Sequence, residues 1–188
     1  MWAATSKAEL QAAIAACLKL SSDCSKGPHG PIGAWGVSAV TDMSNLLAKD
    51  VIAATKSFNG NMSNWDVSRV TIMEGMFDSA SSFATDLSKW DVSRVTNMYR
   101  MFSHASSFDG DISKWDVSSV TNMFGMFNSA KLFKGDISKW DVSNVTDMDS
   151  MFLSVPSFNS DISQWDVSKV TSMGETFDRA SSFNSDIS

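Results

Sequence analysis

The sequence predicts an α/β solenoid, in which each coil carries one short parallel strand and one short helix, behind an N-terminal helical cap. Three observations support this fold class. A 25-residue pattern recurs through most of the 188 residues, each copy contains a strand-like and a helix-like hydrophobic period, and an alanine-rich segment precedes the first copy. Repeats that bury apolar faces against their neighbours are typical of solenoids.

The repeat is visible as columns of identical residues at intervals of 25. One full unit, residues 108–132, reads FDGDISKWDVSSVTNMFGMFNSAKL, and no insertion or deletion interrupts the pattern from residue 58 onward. A composition of 12 Met, 12 Phe and 7 Trp against a single Tyr agrees with one short pattern copied many times. The main columns are Trp65, Trp90, Trp115, Trp140 and Trp165; Phe58, Phe83, Phe108, Phe133, Phe158 and Phe183; Met73, Met98, Met123, Met148 and Met173; and Phe77, Phe102, Phe127, Phe152 and Phe177.

Each unit contains two hydrophobic periods. Residues 115–118, Trp-Asp-Val-Ser, alternate apolar and polar side chains, which predicts a short strand with one buried face. The apolar residues that follow recur every three to four positions, which predicts one face of a short helix. Ser118 or Thr121 could cap this helix by accepting a hydrogen bond from an early backbone N–H. The predicted helix face comprises Val120, Met123, Met126, Phe127 and Ala130.

The chain ahead of the regular repeats is atypical. Residues 6–20 carry apolar side chains at helical spacing, and Ser6 followed by Glu9 predicts a capping-box helix start. We assign residues 1–33 to this capping helix and a Pro/Gly loop. Residues 34–57 form a degenerate first repeat with an insertion near residues 49–55. Residues 58–188 hold five regular repeats and a partial sixth, in one solenoid domain.

The charge balance limits the classes of partner. A net charge of −6 lacks the basic footprint of a nucleic-acid binder and gains nothing from an anionic membrane surface. No apolar run approaches the length of about 20 residues that a membrane span needs, and no signal peptide is visible at the N-terminus. We therefore expect no nucleic-acid partner and no membrane insertion.

The two cysteines, Cys17 and Cys24, lie close together in the chain. They could form a local disulfide, or remain two reduced and partly buried thiols. Neither cysteine has a second ligand at the spacing of a metal site, so we expect no metal and no cofactor.

The string DISxWDVSxVTxMxxMFxxAxxF resembles a surface-protein repeat family of unknown function, named for mycoplasma lipoproteins and also widespread in algae and protists. That family is in turn similar to BspA-type leucine-rich repeats. The resemblance covers residues 58–188 without a gap and residues 35–47 loosely. It implies a leucine-rich-repeat-like, right-handed coil, and an extracellular or cell-surface protein with a role in adhesion or recognition. It supplies no reaction.

The outward positions of the predicted strand are the candidate binding residues. One aspartate per unit lies between the inward Trp and Val, and a lysine lies two residues earlier in three units. This surface could be a structural ladder, in which each aspartate bonds a turn N–H or a serine and pairs with lysine. It could also bind a cationic partner, a glycan or Ca²⁺. The candidates are Asp66, Asp91, Asp116, Asp141 and Asp166, with Lys89, Lys114 and Lys139.

A second set of aspartates precedes the predicted strand, and there we expect side chains that bond the backbone of a turn. The set comprises Asp86, Asp111, Asp136, Asp161 and Asp186. The two histidines, His29 and His104, lie near no repeated Cys or Ser nucleophile, and no phosphate-binding loop is present. We therefore expect no catalytic residues and no enzyme activity.

The leading hypothesis is a non-catalytic module for recognition or adhesion at a cell surface, with a protein or glycan partner. The alternative is a structural or self-assembling spacer, because residues 184–188 lie in the middle of a unit without a polar cap and would expose an edge that can associate end to end. Binding of ice or a mineral surface is a minor alternative, through the column Thr71, Thr96, Thr121, Thr146 and Thr171.

Overall fold

A computed structural model describes residues 2–48 and 53–186 of the chain. Within these residues the helices are α1 (Lys7–Leu18) and two short 3-10 helices, Ile32–Ala34 and Ala53–Ser57. The only β-structure among them is a set of isolated parallel bridges. The bridges are Ala3 with Gly36, Asp42 with Ile72, Ile72 with Asn97, Asn97 with Asn122, Asn122 with Asp147, and Asp147 with Ser172.

Helix α1 forms where the sequence predicts it. The Ser6 hydroxyl accepts a hydrogen bond from the Glu9 backbone N–H at 3.3 Å. The Glu9 carboxylate reaches back to the backbone N–H of Thr5 at 2.9 Å, one residue earlier than a standard capping box would place it. Leu10 and Ile14 are fully buried on the inner face of α1. The helix therefore presents its apolar side to the first repeat.

The N-terminal segment covers one side of the first repeat. Ala3 bridges to Gly36 in parallel, with the Ala4 N–H donating to the Gly36 carbonyl at 2.9 Å. Lys7 then forms an ion pair with Asp42 at 3.3 Å. Asp42 bridges on its other side to Ile72 of the second repeat. The first repeat is thus enclosed between the N-terminal segment and the second repeat.

The prediction of one strand and one helix per repeat is wrong. Each repeat consists of tight turns closed by hydrogen bonds from the N–H of residue i+3 to the carbonyl of residue i. The leucine-rich-repeat-like α/β solenoid is therefore not the fold of this chain. Six such turns follow one another from Ile112 onward. Their pairs of donor N–H and acceptor carbonyl are Trp115 and Ile112, Val120 and Val117, Met126 and Met123, Asn128 and Gly125, Ala130 and Phe127, and Phe133 and Ala130.

The physical reasons for this outcome are local. The predicted strand is only four residues long, and turns at residues 113–114 and 118–119 bracket it. The predicted helix is interrupted by left-handed backbone at Gly125 (φ 56°) and Ser129 (φ 59°), a conformation that no right-handed helix contains. Thr121 also caps no helix, because its hydroxyl donates to the Thr96 carbonyl at 3.2 Å. Short apolar runs at three-to-four spacing do not distinguish a helix from such turns.

Backbone hydrogen bonds between repeats set their register. Alternate N–H groups of one repeat donate to carbonyls of the next, as from Met73 to Asn97 and from Phe77 to Met101, each at 2.9 Å. The later repeat returns one bond, from the Thr96 N–H to the Thr71 carbonyl at 2.9 Å. Each turn thus satisfies some backbone groups internally and sends the others to the neighbouring repeat.

The buried tryptophans bind each repeat to the one before it. Trp115 Nε1 donates to the Leu87 carbonyl at 3.1 Å, and Trp140 Nε1 donates to the Ile112 carbonyl at 3.1 Å. Both indoles are 4% exposed, so these carbonyls have no access to bulk water. The tryptophan column therefore has a polar role in stacking as well as an apolar one.

Aromatic rings fill the centre of the stack. Phe102 and Phe127 of successive repeats stack with centroids 5.7 Å apart, and Phe102 also stacks on Phe108 of its own repeat at 3.9 Å. Phe102, Phe108 and Phe127 are fully buried. Offset stacks of this kind add about 0.5–1.5 kcal/mol per pair beyond the burial of apolar area.

Two further features concern the segments around the first repeat. Cys17 and Cys24 form a disulfide with their Cα atoms 5.1 Å apart, which ties the end of α1 to the following loop. The insertion expected near residues 49–55 falls partly on residues 49–52, which lie outside the described residues, and the 3-10 helix Ala53–Ser57 follows them. Residues 187–188 of the partial sixth repeat also lie outside them.

We expect Trp115→Phe to destabilise the chain by about 1–3 kcal/mol, because the buried Leu87 carbonyl loses the indole donor and keeps only the Trp90 N–H, and because the smaller ring leaves core space unfilled. Trp165→Phe is the matched control, since Trp165 is only partly buried and its acceptor, the Ile137 carbonyl, belongs to the same kind of bond. Urea denaturation measures both free energies of unfolding. Equal losses for the two variants would contradict the role of the buried bond.

Candidate binding surface

The first aspartate column comprises Asp66, Asp91, Asp116, Asp141 and Asp166, and all five residues are exposed as expected. Each of them also stabilises a turn. Asp91 Oδ1 accepts from the Ser93 N–H at 3.1 Å and from the Ser93 hydroxyl at 2.6 Å. Asp116 makes the same pair of bonds with Ser118. One carboxylate oxygen of each residue is therefore committed to its own turn.

The hydrogen bonds also stabilise the charged form of three members of this column, Asp91, Asp141 and Asp166. Accepting from the hydroxyl and the backbone N–H of Ser93 holds the pKa of Asp91 below its usual value. The pKa of Asp141 is lowered in the same way by Ser143, although the charge of Asp166 in the next repeat opposes the effect. The turn bonds thus outweigh the repulsion between neighbouring carboxylates.

The lysine column acts on different aspartates from those that the sequence suggested. Lys114 favours the charged form of Asp111, three residues earlier, and Lys139 does the same for Asp136. Within residues 2–48 and 53–186, no ion pair joins Lys89, Lys114 or Lys139 to the first aspartate column. The predicted binding role of the first aspartate column and the lysines stays a prediction.

The second aspartate column confirms its expected turn role in four repeats. Asp86 Oδ1 accepts from the Ser88 N–H at 2.8 Å, and Asp111 Oδ1 accepts from the Ser113 N–H at 3.0 Å. Asp136 and Asp161 make the equivalent bonds. These bonds lower the pKa of all four carboxylates. The first aspartate column and these four members of the second are therefore accounted for by turn geometry.

The surface that differs most between repeats lies elsewhere. We call it the bridged face: the partly exposed residues beside the parallel bridges, at positions 72–79 of the second repeat and their equivalents. The position that follows the repeated core methionine holds a different residue in each regular repeat. In chain order these residues are Glu74, Tyr99, Phe124, Asp149 and Gly174.

An aromatic pair with an arginine occupies the middle of the bridged face. The Tyr99 and Phe124 rings stack with centroids 5.0 Å apart and planes 14° apart. The Arg100 guanidinium lies 5.3 Å from the Tyr99 centroid and 5.6 Å from the Phe124 centroid. Both rings are only half-buried, whereas Arg100 and His104 are exposed. This cluster combines partly exposed aromatic rings with the exposed side chains of Arg100 and His104, which can donate hydrogen bonds.

Carboxylates lie at both ends of the aromatic pair. Glu74 precedes Tyr99 in the same column, and its Oε2 accepts from Asn97 Nδ2 at 3.1 Å. Asp149 follows Phe124, and its Oδ2 accepts from the Ser172 hydroxyl at 3.1 Å. Read along the stack, the column runs acid, aromatic, aromatic, acid.

The sequence predictions missed Tyr99, Arg100 and Phe124. They followed the predicted strand, which placed the outward surface at the aspartates. A comparison of the repeats with one another could have found the cluster, because positions with a fixed structural bond keep one residue and positions without one vary. The single tyrosine of the chain, Tyr99, is such a variation.

An apolar surface lies on the repeat that starts at Phe158. Val167 and Met173 are 38% and 43% exposed, whereas the equivalent Val142 and Met148 are each 1% exposed. A cleft of about 240 Å³ lies between these side chains and Trp165. The next repeat covers the equivalent surface everywhere else in the stack.

The described residues hold neither a cluster suited to a metal ion nor a membrane-spanning helix. Among them, no group of three or more His, Cys, Asp or Glu side chains is placed to hold a metal ion. No helix in the same ranges has the length and apolar character needed to cross a membrane.

The fold and the surface define a class: a protein of stacked 25-residue repeats with an inner aromatic core and an outer face that differs from repeat to repeat. The chain belongs to the family described as Mycoplasma protein of unknown function, DUF285, whose model matches residues 16–135 and again residues 110–188. This match confirms the predicted repeat family. No curated protein and no solved structure matches the chain.

We expect acid to destabilise the fold through the aspartate columns. Because the folded-state pKa of Asp91 and Asp141 lies below the usual value, unfolded chains bind protons first as the pH falls. The stabilisation is complete above about pH 5 and is lost below about pH 4. The variant Asp91→Asn with Asp141→Asn should show a shallower loss on acidification than the parent chain in urea denaturation at several pH values. Identical slopes would contradict this assignment.

Proposed function

We propose that the chain is a non-catalytic recognition module that binds its partner through the bridged face. The observation that carries the proposal is the division of the exposed surface. Positions with a turn or stacking bond, such as Asp116 and Thr121, keep one residue in every regular repeat, whereas the Tyr99 position changes each time. Repeat proteins generally separate an invariant scaffold from a variable binding face in this way.

The composition of the bridged face supports the same conclusion. Tyrosine, phenylalanine and arginine are enriched at protein interfaces, because they combine large contact area with hydrogen-bond donors. Tyr99, Phe124 and Arg100 bring these types together on three adjacent positions of one surface. Because both rings are only half-buried, part of their apolar surface is left for a partner to cover.

The cell-surface location and the similarity to BspA-type leucine-rich repeats stay predictions from resemblance. The proposal does not depend on either of them. Recognition of a protein or a glycan needs only an exposed, specific surface, which Tyr99, Arg100 and His104 supply in this chain.

A binding screen with two matched variants tests the proposal. The chain is applied to an array of glycans and an array of peptides. The face variant carries Tyr99→Glu, Arg100→Gly and His104→Ser, which are the residues of the preceding repeat at the same positions. The column variant carries Asp91→Asn, Asp116→Asn and Asp141→Asn.

We expect the face variant to lose about tenfold or more in affinity for any ligand found, as removal of interface anchors does. The column variant should bind within about threefold of the parent chain, because rim charges contribute little. If the column variant lost affinity and the face variant did not, the binding site would lie at the first aspartate column instead. Failure of the parent chain to bind either array saturably would argue against a recognition module.

A further inference from the structure

We infer that the aromatic pair on the bridged face receives an extended basic polypeptide segment, with two cationic side chains that flank one apolar side chain. This inference rests on the recognition role proposed above and names the partner class. It follows from the order of charge and apolar area in the column Glu74, Tyr99, Phe124 and Asp149.

The residues of the column are evenly spaced along the stack. The Tyr99 carbonyl accepts from the Gly75 N–H, and the Phe124 carbonyl accepts from the Arg100 N–H, so each residue of the column lies one repeat from the last. Neighbouring parallel backbones lie about 4.8 Å apart, which places Glu74 and Asp149 about 14 Å apart across three steps. The two aromatic rings occupy the interval between them.

An extended peptide has the matching period. Side chains i and i+4 lie on the same face of a strand about 14 Å apart, and side chain i+2 lies midway between them. A segment with Lys or Arg at i and i+4 and an apolar residue at i+2 therefore aligns with the column. The two cations meet Glu74 and Asp149, and the apolar residue packs on Tyr99 and Phe124.

The charge of the bridged face favours a basic partner. The chain carries a net charge of −6, and a carboxylate lies on each side of the aromatic pair. Asp78 and Asp147 add two more carboxylates on the same face. Arg100 is the cation near the rings, and among the described residues it has no ion pair. An acidic segment would meet repulsion at both ends, whereas a basic one is attracted to the face and aligned by it.

The carboxylates are also held in place. Glu74 accepts from Asn97, and Asp149 accepts from Ser172 and, at its backbone N–H, donates to Asp147 Oδ1 at 3.0 Å. Ordered charges lose less conformational entropy on binding than free ones. These bonds leave further lone pairs on each carboxylate for a partner cation.

The only tyrosine of the chain makes this surface directly observable, because Tyr99 gives the single set of tyrosine ring signals in an NMR spectrum. The experiment titrates the tyrosine-labelled chain with the blocked peptide Gly-Lys-Ser-Leu-Ser-Lys-Gly. Three probes serve as controls: the same peptide with glutamate for lysine, the permuted peptide Gly-Lys-Lys-Leu-Ser-Ser-Gly, and the methyl glycosides of glucose and galactose.

We expect a saturable shift of the Tyr99 ring signals with the first peptide, and an affinity at least about fivefold weaker for the permuted and glutamate peptides. Phe124→Asp introduces the residue of the next repeat at this position. It should weaken binding of the first peptide by about fivefold or more, although it adds negative charge. Glu74→Gln with Asp149→Asn should weaken it by about threefold or more at low salt.

Several results would overturn the inference. The inference fails if the Tyr99 signals do not respond to the first peptide, if they respond equally to the permuted peptide, or if they respond only to a glycoside. Unchanged or stronger binding of the first peptide by the Phe124→Asp chain would show that unspecific charge attraction alone holds the peptide. That result also contradicts the inference. If these results came with a ligand from the arrays that the face variant fails to bind, the recognition role would stand and only the partner class would fall.

Discussion

The stacking of one turn-built repeat on the next is the constraint on which the rest of the structure depends. A chain of tight turns satisfies only part of its backbone internally, and the other N–H and C=O groups must find partners one repeat away. The bonds from Met73 to Asn97 and from Phe77 to Met101 do this along the bridged face. The Trp115 indole and the Thr121 hydroxyl add side-chain donors in the opposite direction, from a later repeat to the one before it. These two side-chain donors are repeated without change in the regular repeats.

That constraint explains why the first aspartate column looks functional in sequence and yet has a structural task. An invariant exposed carboxylate suggests a ligand site when the local fold is unknown. Once the turns are present, Asp91 and Asp111 each accept hydrogen bonds from a serine two residues later. Their repetition then follows from the repetition of the turn, and their charge becomes a property of the whole surface.

The sequence predicted part of this structure correctly. The period of 25, the inward Trp and Phe columns and helix α1 follow from patterns that are strong because they are long or because a cap fixes them, as Ser6 does. The secondary structure inside a repeat could not be predicted, because four alternating residues are too few to define a strand. The left-handed backbone at Ser129 and Arg100 leaves no reliable signal in side chains that other conformations also accept. The candidate surface was missed for the same reason, since its place depends on those turns.

The register of the stack also determines how such a chain can change in length. Gain or loss of a whole 25-residue unit keeps every partner in place, because each repeat presents the same donors and acceptors as its neighbour. A change of one residue inside a repeat would instead shift the Trp and Thr donors away from their carbonyls. Lengthening by duplication therefore adds one outward position to the column that contains Tyr99 with each new unit. Each duplication in this way adds one exposed residue that is free to vary, while the core residues stay the same.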